Sequence, residues 1–165
     1  MLRRWMLGAL VAWGACADSP DPADWMARLE DGRGLAELSI PGTHDTGAVR
    51  EPIPGFAKTQ SLTIDEQLAA GVRFFDVRCR HFQDEFLIFH GSVDQDLTYD
   101  QVLATMFAFL DAHPDEVLIV SIKEESVPYQ VTRSFEATFA AYLAQAPERW
   151  ALGPTLPRLG DVRGK

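Results

Sequence analysis

The run Val117-Leu118-Ile119-Val120-Ser121-Ile122 puts apolar side chains on both alternating faces of an extended segment. A strand apolar on both sides calls for cover on both sides, the condition of a strand inside a parallel α/β sheet. Around it the apolar period switches repeatedly between two and 3.6, as in a chain of alternating strands and helices.

The spacing predicts a short strand at Leu38-Ser39-Ile40, stopped by Pro41-Gly42, and a helix over 63–70 with Ser61 as its cap and Gly71 as its end. Strands follow over 72–80 and 85–90, separated by a polar turn at Gln83-Asp84. A longer helix over 99–112 is marked by Val102, Leu103, Met106, Phe107 and Leu110 at helical spacing. Thr98 with Gln101 reads as its capping box, and Pro114 terminates it. A last helix is predicted near 128–143, carrying Phe135, Phe139 and Tyr142 before Gln145-Ala146-Pro147. Four strands are too few to close an eight-stranded barrel, and Val162-Arg163-Gly164-Lys165 supplies no closing element. The expected fold class is α/β: a TIM-type (β/α) barrel in an incomplete N-terminal portion of about four strands, with a self-contained small α/β sandwich as the alternative.

The first residues differ in kind. Arg3 and Arg4 precede an apolar run from Trp5 to Trp13, then the small residues Gly14-Ala15-Cys16-Ala17, then the acidic, proline-rich Asp18-Ser19-Pro20-Asp21-Pro22. This is the layout of a secretory signal peptide over 1–17, followed by a linker over 18–24 and the partial barrel domain over 25–165. The apolar run is too short to span a bilayer. Cys16 behind Gly14-Ala15 also resembles a lipoprotein cleavage site, although Trp13 stands where that pattern wants Leu. A secreted or cell-envelope protein is therefore expected. Of its two cysteines only Cys79 would survive cleavage, so no internal disulfide is available and Cys79 reads as a buried small apolar residue. With a net charge of −9 and no clustering of Lys and Arg, the chain has no basic field for a polyanion. A monomer with no nucleic-acid partner is expected.

Each predicted strand runs out into polar residues able to do chemistry: Gly42-Thr43-His44-Asp45, Asp76-Val77-Arg78, Phe89-His90-Gly91 and Lys123-Glu124-Glu125. In a parallel barrel such ends converge on the face that hosts active sites. Strand alternation adds that Asp76 and Arg78 share a face, as do Phe86, Ile88 and His90, and as do Val117, Ile119, Ser121 and Lys123. Taken singly, each histidine reads as a surface or hydrogen-bonded side chain, Asp76 with Arg78 as a structural ion pair, and Lys123 as a solvated strand end. Together, two histidines, a carboxylate beside one of them, an arginine and a lysine are the inventory for general acid–base displacement at a phosphate. His81, read as part of a turn beside Phe82, and His113, at a helix C-terminus where a cation is favoured, are not nominated.

These stretches, with Ser39 to Gly47, Gln67-Leu68 ahead of Gly71 to Arg78, Phe89-His90-Gly91, and Pro114-Asp115-Glu116-Val117 through Lys123-Glu124, resemble the X region of phosphatidylinositol-specific phospholipases C. The resemblance implies cleavage of phosphatidylinositol, or of a glycosylphosphatidylinositol, at a membrane surface to diacylglycerol and a 1,2-cyclic inositol phosphate. It implies His44 as the general base on the inositol 2-hydroxyl and His90 as the general acid for the diacylglycerol oxygen. Arg78 would bind the phosphate, Asp45 support leaving-group protonation, Asp76 help fix the site, and Lys123 reach the inositol hydroxyls.

Calcium-dependent relatives place an acidic residue where Arg78 stands, so no metal or other cofactor is expected. The family's further ligands come from strands beyond the fourth, among them a carboxylate that orients the base and an aromatic that stacks on inositol, and no position here matches them. Two alternatives remain open: a phosphodiesterase of the same barrel acting on another glycerophosphodiester, for which Asp45 alone is a poor metal set, and a catalytically silent headgroup-binding module. Trp25 and Trp150 read as core packing in preference to interfacial anchors.

Overall fold

The structure, a computed structural model, describes residues 21–52 and 54–165; the leader expected over 1–17, Cys16 included, and the first part of the linker lie outside the described residues. Among the described residues no helix is long and apolar enough to cross a membrane.

The organising element is strand β2 (Phe74–Phe82). Its odd-numbered residues Phe75, Val77, Cys79 and His81 are buried on one face, and the even-numbered Phe74, Asp76, Arg78 and Arg80 line the other. Strand β5 (Ile119–Tyr129) runs parallel along one edge of β2, from Phe74 opposite Ile119 to Phe82 opposite Tyr129. The other edge is shared: β1 (Gly42–Thr43) pairs in parallel with Phe74 and Phe75, and β3 (Glu85–His90) pairs antiparallel from Cys79 to Phe82. Strand β4 (Val93–Thr98) adds antiparallel to β3.

Three α-helices accompany the sheet among the described residues: α1 (Ile64–Ala69), α2 (Tyr99–Ala112) and α3 (Phe135–Gln145). The main core joins Phe75, Val77 and Cys79 of β2 to Phe86 and Ile88 of β3, Val102, Leu103 and Met106 of α2, and Tyr142 of α3. Burial at full depth pushes the Cys79 thiol up to about 12, so it packs as a small hydrophobe. A second cluster, Met26, Leu35, Val117, Leu159 and Val162, closes the opposite end of the strands. There Arg73 and Glu116, both wholly buried, pair at 2.8 Å. Glu116 also accepts from the backbone N–H groups of Met26 and Ala27, while Arg73 donates to the carbonyls of Ala23, Leu68 and Val72. That network fastens the N-terminal segment to the sheet.

Helix α2 lies where its apolar spacing puts it, with the expected box: Thr98 Oγ1 accepts from Gln101 N at 3.2 Å and Gln101 Oε1 from Thr98 N at 2.9 Å. Trp25 and Trp150 pack against the two cores. Several expectations are corrected. The first strand falls beyond Pro41, at Gly42–Thr43, because the chain meets β2 only there; a Cβ on Gly42 would sit 3.0 Å from Phe74 Cβ. The cap of α1 is Thr63, whose N–H and hydroxyl both donate to Glu66 Oε2, and not Ser61. β3 is antiparallel to β2, since Gln83 and Asp84 have φ of 50° and 64° and turn the chain as a two-residue hairpin loop. No helix intervenes between β2 and β4, and β4 itself has no apolar run to announce it.

His81 belongs to β2, buried, with Nε2 2.9 Å from Thr138 Oγ1. β5 runs on through Pro128 to Tyr129, so the last helix starts only at Phe135, capped by Ser134. The covering of Val117-Leu118-Ile119-Val120-Ser121-Ile122 is partial: Val117 is buried, Ser121 is exposed, and the rest are half-buried. β5 is an edge strand among the described residues, and an apolar groove of about 290 Å³ opens between it, Leu103, Met106 and Phe107 of α2, and Phe139 of α3.

Candidate active site

The ends of β1 and β3 meet the middles of β2 and β5 on the even-numbered face of β2, because β2 and β5 run on past the expected strand ends to Phe82 and Tyr129. In β2 and β5, Asp76 stands opposite Ser121 and Arg78 opposite Lys123, and strand alternation sends Asp76, Arg78 and Lys123 the same way, while Glu125 is the extra residue where the register shifts between the Cys79–Glu124 and Arg80–Ser126 pairs. The hairpin turn brings β3 back along β2 with Ile88 opposite Cys79, which returns His90 to the level of Arg78. The convergence read from the sequence therefore holds, but His90 arrives on an antiparallel strand.

His44 and Asp45 occupy the turn leaving β1. Asp45 adopts φ 48°, a left-handed conformation uncommon for a residue with a side chain, and it is only 2% exposed. Asp76 anchors this turn twice: its carbonyl accepts from Thr46 N at 2.9 Å and its Oδ2 from Asp45 N at 3.3 Å. The carbonyl of His44 accepts from Gln60 Nε2 at 2.5 Å, and that of Asp45 from Thr59 Oγ1 at 3.0 Å.

Asp45 lies between the two histidines. Its Oδ2 is 3.4 Å from His44 Nε2 and 3.5 Å from His90 Nε2, and its Oδ1 is 3.3 Å from Arg78 Nε. Burial pushes the Asp45 carboxyl above the ordinary carboxylate range, against the opposing charges of Arg78, His90 and His44. His44 Nδ1 stands 3.1 Å from Asp76 Oδ2 and 3.3 Å from Arg78 Nη2, so it donates to the carboxylate when protonated and accepts from the guanidinium when not. His90 Nδ1 is 3.1 Å from the carbonyl of Ala57, which can only accept, so that nitrogen donates and Nε2 faces Asp45.

Arg78 is the hub. It reaches Asp76 Oδ2 at 3.0 Å through Nε and Glu125 Oε2 at 3.2 Å through Nη1. Partial burial works against its charge, yet Asp45, Asp76 and Glu125 together hold its pKa above the ordinary arginine value. Lys123 is more exposed and joins the cluster through Glu125 Oε2 at 3.1 Å. Glu125 in turn lies below its ordinary range: burial opposes this, but the Lys123 hydrogen bond and the Arg78 charge outweigh it.

All six residues nominated from sequence, His44, Asp45, Asp76, Arg78, His90 and Lys123, thus fall in one cluster. Glu125 is the member to which the sequence assigned no role; its signal was its place in the polar run Lys123-Glu124-Glu125, since the register shift at Glu125 removes simple alternation as a guide. Thr59 and Gln60, which hold the turn from a distant loop, had no such signal. His81 and His113 are elsewhere, the latter against Asp24 at 2.6 Å. Among the described residues no group of three or more His, Cys, Asp or Glu side chains is arranged to hold a metal ion.

The family profile described as phosphatidylinositol-specific phospholipase C, X domain, matches residues 35–165. A 1-phosphatidylinositol phosphodiesterase of Staphylococcus aureus is 34% identical over 156 residues, covering 89% of this chain and 50% of that protein. One of Listeria monocytogenes is 34% identical over 151 residues, covering 86% of this chain and 46% of that protein. The chain spans about half the length of the curated relatives it matches. A crystal structure of phosphatidylinositol-specific phospholipase C from Staphylococcus aureus superposes with a TM-score of 0.81 at 32% identity, over 88% of this chain and 51% of the other. The curled sheet is accordingly an incomplete TIM-type (β/α) barrel with a hairpin, β2 to β4, set into it.

Proposed function

Because the chain belongs to the phosphatidylinositol-specific phospholipase C X domain family, we propose that it carries half of the active site of a phosphodiesterase that cleaves phosphatidylinositol, or a glycosylphosphatidylinositol, to diacylglycerol and 1,2-cyclic inositol phosphate. The observation that supports this best is the single buried carboxylate of Asp45 lying within 3.5 Å of both His44 and His90 and 3.3 Å from Arg78.

The chemistry follows from those positions. His44, the more open ring, takes the proton of the inositol 2-hydroxyl, and the oxygen attacks phosphorus. Because the nucleophile is already part of the substrate, closing the cyclic diester needs little added order. Arg78 meets the charge on the non-bridging phosphate oxygens with a planar fork that three carboxylates hold in place. His90, protonated at Nε2 and backed by Asp45, gives its proton to the departing diacylglycerol oxygen. Lys123, paired with Glu125, would reach the inositol hydroxyls.

The cationic role falls to Arg78, so the reaction is metal-independent on this reading. The substrate is presented by a membrane surface to a monomer, and the leader read over 1–17 would export the protein to the cell envelope or beyond. Nucleic acid plays no part.

The test is product identity. The full-length protein incubated with phosphatidylinositol vesicles should release 1,2-cyclic inositol phosphate, followed by phosphorus NMR. Headgroup binding without cleavage would make it a binding module, and activity confined to other glycerophosphodiesters would move it to a different substrate; either result overturns the proposal.

A further inference from the structure

Gln67 is 1% exposed in the middle of α1, and a side-chain amide so deeply buried is tolerated only when its groups are bonded. Its Oε1 accepts from Thr43 Oγ1 at 2.8 Å, and its Nε2 donates to the carbonyls of Thr46 at 3.0 Å and Leu62 at 2.8 Å. Two carbonyls facing one end fix which end is nitrogen. Thr43 Oγ1 is also 2.9 Å from Thr46 Oγ1. Since the Thr43 hydroxyl spends its one hydrogen on Gln67, the Thr46 hydroxyl must be the donor between the two. The amide and two hydroxyls therefore close a ring around the turn Thr43-His44-Asp45-Thr46.

We infer that Gln67 is a positioning residue for His44 and Asp45: it joins the two ends of their turn from α1 while Asp76 holds the same turn from β2. The inference rests on the reading of those residues as the acid–base pair. Gln67 touches neither side chain, so it acts through the backbone. A turn that places Asp45 at φ 48° is disfavoured in isolation and persists because its surroundings impose it. Asp76 holds Asp45 N and Thr46 N, and pairing of β1 with β2 holds the Thr43 backbone, but none of these bonds reaches the Thr43 hydroxyl or the Thr46 carbonyl. Gln67 ties those two groups together. The groups around His44 that a shift of the turn would disturb are Asp45, Asp76 and Arg78, and a displacement of about 1 Å at reacting groups is enough to cost about 10²-fold in rate.

The experiment uses the full-length protein with Gln67→Leu, which keeps the bulk and removes all three bonds. Leu110→Ala, at a buried position of α2 outside the turn, serves as the control for lost stability. Gln67→Leu should lower kcat by about 10²-fold with KM changed less than about twofold, whereas Leu110→Ala should leave both nearly unchanged. Thr43→Val, which cuts the same link from its other end, should give a similar loss, and should add little in the Gln67→Leu background.

Imidazole nitrogen NMR of His44 should shift in Gln67→Leu and Thr43→Val and stay put in Leu110→Ala. Equal kcat per folded molecule in Gln67→Leu and the control, or a His44 signal that does not move, would overturn the inference. If Gln67→Leu fails to fold, Thr43→Val decides on the same terms. A wild-type protein that cleaves no inositol lipid would sink the functional reading instead, and the His44 signal would still decide the role of Gln67.

Discussion

Arg78 Nε donates to Asp76 Oδ2 across 3.0 Å, two residues apart on one face of β2. Asp45 and Glu125 close on the same guanidinium, and on the proposed mechanism the charge that meets the phosphate is covalently part of the chain. A calcium ion would need six to eight oxygen ligands and would have to share the site with this cation. Activity of the full-length enzyme should therefore be unchanged by a chelator, and Arg78→Asp should lower it by about 10³-fold or more, with partial recovery on adding calcium. Reversible silencing of the wild-type enzyme by a chelator would show that a metal supplies the charge.

Gly47 lies where the turn bearing His44 and Asp45 presses on β3: a Cβ added there would come within 2.6 Å of Ile88 Cγ2. Gly47→Ala should push the turn away from β3, and so from His90 two residues beyond Ile88, lowering kcat/KM by about 10- to 100-fold. Adding Ile88→Ala should restore part of the loss by making room, which steady-state kinetics on the four members of the cycle will measure. A fully active Gly47→Ala would mean that the turn and β3 are not held in register.

Glu116 and Arg73 form a wholly buried ion pair, and Arg73 also carries three backbone carbonyls. Glu116→Gln can still accept from Met26 N and Ala27 N but leaves the guanidinium without its counter-charge. A loss of about 3–5 kcal/mol is expected, seen in thermal unfolding as a Tm lower by roughly 10 °C. A change of less than about 1 kcal/mol would show that the pair is solvated or replaceable.

Asp84 receives hydrogen bonds from Thr132 Oγ1, Thr132 N and Arg133 N, and the Thr132 hydroxyl is the main cause of a pKa below the ordinary carboxylate value. The unfolded chain, with the higher value, protonates first as pH falls. The stability Asp84 contributes is therefore complete above the ordinary carboxylate pKa and is lost as pH drops through the folded one. Asp84→Asn should lower Tm at neutral pH and flatten the fall in Tm toward about pH 3. Asp45 acts in the opposite sense: raised by burial, it favours the fold at low pH and less so as pH rises through its folded value. An Asp84→Asn protein with the wild-type slope would remove Asp84 from the acid response.

What the sequence made legible was whatever is encoded locally. The repeat and box of α2 and the apolar alternation of β3 carry their structure in their own side chains, so both appear where they were expected. β1 is a strand only because Gly42 and Thr43 touch β2, and β4, Val93-Asp94-Gln95-Asp96-Leu97-Thr98, is largely polar and is made a strand by its partner. The direction of β3 turned on two left-handed residues, Gln83 and Asp84, that lack the glycine usually marking such a turn. The six nominated site residues were readable because the polar ends of apolar runs and two-residue spacing are local too, even though β2 and β5 continue past them. Thr59 and Gln60 reach the site from a distant loop through side-chain hydrogen bonds, which leave no pattern along the chain, and Gln67 stood within the stretches that resemble the family without a role attached to it.

The division of labour between His44 and His90 is tested most directly by comparing two leaving groups. In the full-length enzyme, His44→Ala and His90→Ala should each abolish turnover of phosphatidylinositol. On an inositol phosphodiester with a nitrophenol leaving group, which departs without a proton, His90→Ala should regain about 10²-fold or more relative to His44→Ala. Equal losses for both variants on both substrates would contradict the assignment of His44 as base and His90 as acid.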